Sequence, residues 1–397
     1  MAYVLYLTTA RIPGEKAHSL QIVRVCEALA RIGCKVYLFP ARSHETPEVK
    51  PYGSFQHFYG FSPSFSMMHI PSIDFPSRNA DIRIQQLLFS VVCLSYFTFI
   101  LPIITLFHVF KGNERTILYI REPLLFIFFT VSKPIHRLPI LFEIHRSLSL
   151  RRSKSLYLKL LSRVDIIVTI SRKLKEDPAL LGVDDSKIVV AHSAVDVKPF
   201  DKVKENMGEL RRALKMPVNH YLAVFLGHLY KERRVEGLID AVKLIKEKTD
   251  LTLYIVGGKD EDVKRLLSYA EKVNAKGVIF TGFVNPSTVP IYLKAADVLL
   301  LPPFFQLPES SPLVLFEYMA ARRPIIAPNI PSIREVLENN ESGLLYDNIQ
   351  DLTNDIVMLY KNPDLATKLA SNAYNIVKAK YTHKARAKTI LDALNRL

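Results

Sequence analysis

Glu309-Ser310-Ser311-Pro312-Leu313-Val314-Leu315-Phe316-Glu317 places two carboxylates, a helix start and an apolar face within nine positions. Ser311 followed by Pro312 is a helix-entry signal: serine caps free amides, and proline suits the first helical position, where its missing N–H would have had no partner. A helix is therefore predicted from about Pro312. The amides of Leu313 and Val314 then point out of its first turn at the positive end of the helix dipole, a place suited to phosphate oxygens. Glu309 falls just outside that start, and Glu317, four residues after Leu313, shares its helical face. The stretch offers donors to an anion and acceptors to hydroxyls, although first-turn acids are also favoured by the dipole alone.

Outward from this stretch, short apolar runs alternate with helical patterns. A strand over 222–226 ends at Gly227-His228, and a helix holds 237–245. A strand over 251–256 exits through Gly257-Gly258, one over 278–281 turns at Gly282-Phe283-Val284, and 297–301 leads into the two-carboxylate stretch. The first half repeats the scheme. Tyr3-Val4-Leu5-Tyr6-Leu7 lacks a basic leader and reads as a first strand, followed by a helix over 17–32 ended by Gly33 and a strand over 35–39. Later strands cover 116–120, ending in Arg121-Glu122-Pro123, and 138–142, ending in Glu143-Ile144-His145-Arg146, then 165–171 and 187–191. The segment 50–75, rich in aromatics, Pro and Ser, is read as strand and loop. Such alternation builds doubly wound parallel sheets, whose ligands bind beyond the carboxyl ends of the strands. Dense charge over 201–215 places the domain boundary near 198–210, giving domains over 1–200 and 201–380 and a last helix within 381–397 that packs back on the first domain.

The E-x7-E spacing over 309–317, then Pro324-Ile325-Ile326-Ala327 and Ser332-Ile333-Arg334-Glu335-Val336, resembles glycosyltransferase family 4, retaining enzymes of the GT-B fold. The resemblance is strongest over 221–347 and weak over 43–111. It implies an α/β chain of two facing Rossmann-like domains with a cleft between them. It also implies retaining transfer of a sugar from a nucleotide-diphosphate donor to a hydroxyl of a glycan or lipid-linked acceptor, with no metal or other cofactor. Glu309 would then hold the donor sugar's hydroxyls and Glu317 the ribose hydroxyls, with the amides of Leu313 and Val314 near the diphosphate. His145, in Phe142-Glu143-Ile144-His145, stands where the family's histidine contacts the donor sugar beside the reacting carbon; a surface loop histidine is the plainer alternative. The backbone at Val284 would meet the base. Lys16 and His18, in a loop resembling the family's first, are candidates for acceptor or phosphate contact, or simply a solvated helix cap.

Leu229-Tyr230-Lys231-Glu232-Arg233-Arg234, after Gly227-His228, resembles the family's diphosphate loop. Arg233 stands where that family has lysine and is the expected phosphate cation, since a guanidinium can bind phosphate bidentately. Three positions depart from the family: His228 replaces an arginine, and Arg234 and Arg322 each replace a glycine. The departures at His228 and Arg234 lend weight to one rival, a catalytically silent partner subunit, against which both Glu309 and Glu317 speak; that at Arg322 says little about chemistry. A second rival, a GT-B nucleotide-sugar epimerase, lacks a recognisable acid/base set.

A net charge of +15 and a pI near 9.5 favour anionic partners such as a nucleotide diphosphate, a phosphorylated lipid or an acidic membrane. No zinc-finger spacing, basic zipper or RNA-recognition signature is present, which argues against nucleic acid. Cys26, Cys34 and Cys93 make an odd number without metal-ligand spacing, so a reducing compartment, the cytoplasm, is expected. Asp260-Glu261-Asp262 matches D-x-D literally but follows Gly-Gly at a helix start, where acids suit the first turn. Residues 84–110 contain no Asp, Glu, Lys or Arg. A buried crossover helix is the first reading; a segment pressed into a membrane face is the second. A bilayer span, which the length permits, is opposed by Pro102 and scattered Ser and Thr. Basic residues from Lys111 to Lys154 make peripheral contact with an anionic membrane, at its inner face, the expectation attached to the second reading.

Overall fold

Runs of Val, Ile, Leu and Tyr without polar alternation become strands buried on both faces, as parallel sheets require. In the computed structural model, which describes residues 2–14, 17–42, 49–73, 82–111, 115–145, 147, 154–180, 182–245, 250–303 and 313–396, these strands form two sheets. The first comprises β1 (Tyr3–Thr8), β2 (Lys35–Pro40), β3 (Ser66–Met67), β4 (Thr116–Ile120), β5 (Ile140–Ile144), β6 (Ile166–Thr169) and β7 (Ile188–Val190). Their order is β3-β2-β1-β4-β5-β6-β7, all parallel, with Tyr3 opposite both Lys35 and Thr116. The second comprises β8 (Tyr221–Leu226), β9 (Leu251–Val256), β10 (Val278–Gly282), β11 (Val298–Leu300), β12 (Ile325–Pro328) and β13 (Leu344–Tyr346), in the order β10-β9-β8-β11-β12-β13.

Each order reverses direction once, between β1 and β4 and between β8 and β11. In doubly wound sheets that reversal opens a crevice beyond the strands' carboxyl ends. The two switch points therefore mark where each sheet can hold a ligand.

The chain divides into two units, Met1–Ala191 with His383–Leu397, and His192–Thr382. The first division falls ahead of the charge-dense segment because Val195 and Phe200 already bury in the second unit's core. In the first unit, Ala387, Ile390, Ala393 and Leu394 of the helix His383–Leu394 pack into the core that Ile22, Cys26 and Leu29 of the helix Ala17–Arg31 also enter. The segment read as strand and loop is instead mostly turn and short helix. Phe55–Tyr59 forms a helical turn whose Phe55 and Tyr59 rings meet edge-on at 4.8 Å, and among the described residues Ser66–Met67 pairs as strand, with Ile70 in a single bridge to Ala41. Aromatic packing, not periodicity, orders it.

The uncharged stretch is one 30-residue helix, Ile82–Lys111, with Pro102 inside it. The buried-helix reading holds for one face only. Cys93, Tyr96, Ile100 and Ile104 are fully buried against the sheet, and the Tyr96 hydroxyl donates to the Phe39 carbonyl at 2.6 Å. The outward face carries Leu87 at 65% exposure, Leu94 at 54%, Phe99 at 51% and Leu106 at 55%.

In the second unit, the helix Leu313–Ala320 is fixed to the switch point by Tyr318. Its buried hydroxyl accepts from the Leu226 N–H at 2.8 Å and donates to the Leu300 carbonyl at 3.2 Å, joining the ends of β8 and β11. Tyr318→Phe leaves a buried amide unpaired, which costs about 1–3 kcal/mol. A urea midpoint lowered by that energy divided by the m-value, with the m-value itself unchanged, is the expected result; an unshifted midpoint would show that the bridge carries no stability.

Candidate functional site

The second unit's switch point is lined by glycine-rich strand exits. β8 leaves through Gly227, whose N–H bonds to the Val256 carbonyl at 2.9 Å, and β9 leaves through Gly257-Gly258. A side-chain carbon on Gly257 would lie 2.6 Å from the Gly227 carbonyl oxygen, so these two exits approach as closely as backbones allow. Beyond Gly227, the His228 ring stacks on Tyr230 with centroids 5.0 Å apart. Burial lowers the His228 pKa, and the charges of Arg233 and Lys259 lower it further against the pull of Asp262. The imidazole is therefore neutral near pH 7, and two cations act on it.

The charged loop sorts itself by side-chain direction. Lys231, Glu232 and Arg234 are exposed, whereas Arg233 is half-buried and burial lowers its pKa. Arg234 has φ of 48°, the left-handed region that favours glycine, and Arg322 has φ of 55°. Both departures from the resembled family thus keep a backbone shape that suits the residue they replace. Arg322 has a visible compensation: its guanidinium lies 3.7 Å from the centre of the Tyr374 ring.

Leu313 and Val314 begin the described part of the helix that Tyr318 anchors, and both are half-buried. One turn on, burial pushes the Glu317 carboxyl from 4.5 up to about 7, and no hydrogen bond to that carboxylate is formed among the described residues. Val284 is half-buried just after Gly282, whose carbonyl accepts from the Gly257 N–H at 2.9 Å, so this turn is tied to the exit of β9. Asp260, Glu261 and Asp262 form the first turn of the helix Asp260–Lys272. Glu309 and Lys16 lie outside the described residues.

In the first unit, His145 follows β5. Its Nε2 bonds to the Glu143 carboxylate, which also accepts from the Tyr119 hydroxyl and pairs with Arg386 Nη2 at 2.9 Å. Burial opposes ionisation of Glu143, but Arg386 and His145 outweigh it and hold the carboxyl well below its usual range. Burial, reinforced by Arg121, lowers the His145 pKa to about 4. His145 is thus a neutral imidazole whose Nε2–H is held by a carboxylate, leaving Nδ1 as an acceptor. At the switch point itself the Thr8 hydroxyl donates to Glu122, and burial raises the pKa of that carboxyl. His18 is exposed in the first turn of its helix, and its carbonyl accepts from Arg121 Nη1 at 3.4 Å.

Residues 206–376, inside the second unit, match the family model described as Glycosyl transferases group 1. An uncharacterized glycosyltransferase of Methanocaldococcus jannaschii, MJ1607, is 28% identical over 182 residues, 45% of this chain and 46% of that protein. Alpha-monoglucosyldiacylglycerol synthase of Streptococcus pneumoniae is 24% identical over 210 residues, 52% of this chain and 47% of that protein. The chain spans about half the length of these curated relatives. The solved structure of Anabaena Alr3699/HepE in complex with UDP-glucose is similar over 100% of both chains, with a TM-score of 0.73 at 18% identity.

The fold is GT-B. Within each of its units, sequence reasoning missed neighbours of the candidate residues. Glu143 had a signal, because residues two apart on a strand share a face and Glu143 precedes His145 by two. Arg386 had none, being brought to Glu143 by tertiary packing alone. Lys259 was passed over as the residue before an acidic helix start, although a lysine directly after Gly257-Gly258 is placed to face the same exit as His228.

Folded Glu317 keeps its proton up to about pH 7, whereas an ordinary glutamate releases it near 4.5. Its contribution to stability is therefore full below 4.5 and is lost as the pH rises through about 7. Glu317→Gln removes that loss. Without ligand, the variant is expected to melt at a higher temperature than wild type above pH 7 and at a similar one below pH 4.5; equal melting at high pH would mean that Glu317 ionises at no cost.

Proposed function

We infer that the protein is a retaining glycosyltransferase of the family 4 type, moving a hexose from a nucleotide-diphosphate sugar to a hydroxyl of a glycan or lipid-linked acceptor in the cytoplasm. The observation that carries this reading is the second unit's switch point. Arg233 alone of its charged loop turns inward, toward a neutral His228 and beside Lys259, and the helix bearing Glu317 is fastened to the same strand end through Leu226 and Tyr318. Cations and first-turn amides suit a diphosphate, and an unsatisfied carboxylate suits ribose hydroxyls. The names of the matched family and relatives support the same class of chemistry. Three free, buried cysteines accord with a reducing compartment.

In the transfer, the acceptor oxygen bonds to the anomeric carbon on the face from which the diphosphate leaves. The departing diphosphate oxygen takes the hydroxyl proton, so no protein nucleophile is required. The protein contributes positioning and charge stabilisation. Arg233, Lys259 and the amides of Leu313 and Val314 meet the charge growing on the diphosphate, while Glu309 and the Nδ1 of His145 accept from sugar hydroxyls. The residues of the first unit's loop, Lys16 and His18, are assigned to the acceptor. Cations and a helix N-terminus here take the part that a divalent ion plays in other transferases.

Arg233→Ala removes a charge-assisted contact worth about 1.5–3 kcal/mol, so the dissociation constant for a nucleotide diphosphate should rise about 10- to 150-fold. The first measurement is a thermal-shift screen of UDP, GDP and ADP sugars against wild type, because a ligand bound only by the native state raises its melting temperature. Unchanged affinity in the variant would remove Arg233 from the site.

With the donor so identified, Glu309→Gln should abolish transfer while leaving the melting temperature intact, and wild-type activity should persist in excess EDTA. Turnover of the variant at the wild-type rate would reduce Glu309 to a helix-end acid. Loss of activity with EDTA that manganese restores would return Asp260 and Asp262 to consideration, and release of an epimerised nucleotide sugar without transfer would replace the reading by an epimerase.

A further inference from the structure

The helix Ile82–Lys111 is about 45 Å long at 1.5 Å per residue, against strands of five or six residues beneath it. An outer helix of a water-exposed unit normally turns charged residues outward. This one turns out Leu87, Leu94, Phe99 and Leu106 instead, and Val131 at 59% and Ile135 at 61% extend the apolar surface onto the two short helices packed beside it. A patch of this kind marks a docking surface.

Charge identifies the occupant. Residues 82–163 hold twelve Lys or Arg and three Asp or Glu, a large part of the chain's net +15. Of the acids, Glu122 is turned inward against Thr8, and Glu143 is turned inward in the network beside His145. Among the described residues, Arg137 is exposed on the segment that follows Ile135, and Arg115 and Lys35 are exposed near the helix end where Phe107 meets Tyr3. Lys133 lies between Val131 and Ile135, and Asp165, which faces it, is neutralised by it at 2.6 Å. A second copy of the chain would bring the same positive rim and be repelled. An anionic membrane matches both the apolar strip and its rim.

We propose that the outward face of Ile82–Lys111, with Val131 and Ile135, docks the first unit on an anionic lipid surface, the helix lying in the plane of the interface. It does not cross the bilayer, because Cys93, Tyr96, Ile100 and Ile104 are committed to the sheet and the Tyr96 hydroxyl to Phe39. Leu and Phe side chains enter the boundary between headgroups and acyl chains, and the flanking cations meet lipid phosphates. If the proposed glycosyl transfer holds, docking of this kind favours a lipid-linked acceptor over a soluble one.

The chain contains no tryptophan, so Phe99→Trp installs a single reporter on the exposed face. Its emission should shift to the blue with vesicles containing phosphatidylglycerol, much less with phosphatidylcholine alone, and less again in high salt as screening shortens the reach of the cations. In flotation, wild type should rise with the anionic vesicles, and Leu94→Glu with Leu106→Glu should lose that association while keeping the wild-type circular dichroism and melting temperature. Wild type that stays in the soluble fraction with anionic vesicles at low salt would overturn the proposal. So would equal, salt-insensitive binding to both vesicle types, resistance to alkaline carbonate extraction, or a concentration-dependent dimer whose tryptophan is buried without lipid. None of these measurements reads sugar transfer, so their failure leaves the proposed activity standing.

Discussion

The strands of both sheets are parallel and, away from the sheet edges, buried on both faces, and this two-sided burial governs where chemistry can sit. Polar groups that are not paired in the ladder are driven to the strand ends, and the carboxyl ends at each switch point are where backbones diverge enough to leave room. Thr8 and Glu122 meet at one such point, while Tyr318 and the backbones of Leu226 and Leu300 meet at the other. The same strand order recurs in the two halves of the fold. Each half carries its own electrostatic character: a buried acid, histidine and arginine network in the first unit, and cations with a proton-retaining carboxylate in the second.

The pKa values follow from that burial and decide what each group can offer. Burial pushes Glu317 up to about 7, so this carboxyl is half ionised near neutrality and its charge is sensitive to a bound ligand. His145 goes the other way, down to about 4, and stays neutral across the physiological range. A neutral imidazole is a hydrogen-bond acceptor, as is Glu317 once it has lost its proton, whereas Arg233 and Lys259 are donors with charge.

Much of the fold was legible because parallel strands read as continuous apolar runs with glycine or histidine at their exits. β4, β9 and the strand end at His228 fall where the pattern puts them. Gly227, His228 and Val284, which the pattern put at or just beyond strand ends, do lie at the exits of β8 and β10. Glu143 and Arg386 were not legible, since they are 243 positions apart and only the return of the helix His383–Leu394 joins them. The long uncharged helix was half legible. Composition announces an apolar segment of 27 residues, but only the packing of Cys93, Tyr96, Ile100 and Ile104 tells which face belongs to the core. Arg234 and Arg322 were read as lost glycines, whereas the backbone at both positions keeps the positive φ and, at Arg322, a ring contact offsets part of the strain.

The return of the chain into the first unit after Thr382 has a chemical consequence as well as a structural one. Arg386 is buried, donates to the Ala191 carbonyl, and holds Glu143 ionised. Glu143 in turn fixes the ring of His145. Without the guanidinium, a buried carboxyl beside Tyr119 would take a proton, and a protonated Glu143 would no longer accept with the same strength from Nε2–H. The last fifteen residues therefore act on His145 through one carboxylate. Because both ends of this relay are buried, the arrangement tolerates neither a neutral replacement at Arg386 nor a repulsive one at Glu143 without leaving a charge or a hydrogen-bonding group unpaired. The histidine's orientation is in this sense a property of the unit's two-part chain, set by residues that precede and follow the whole of the second unit.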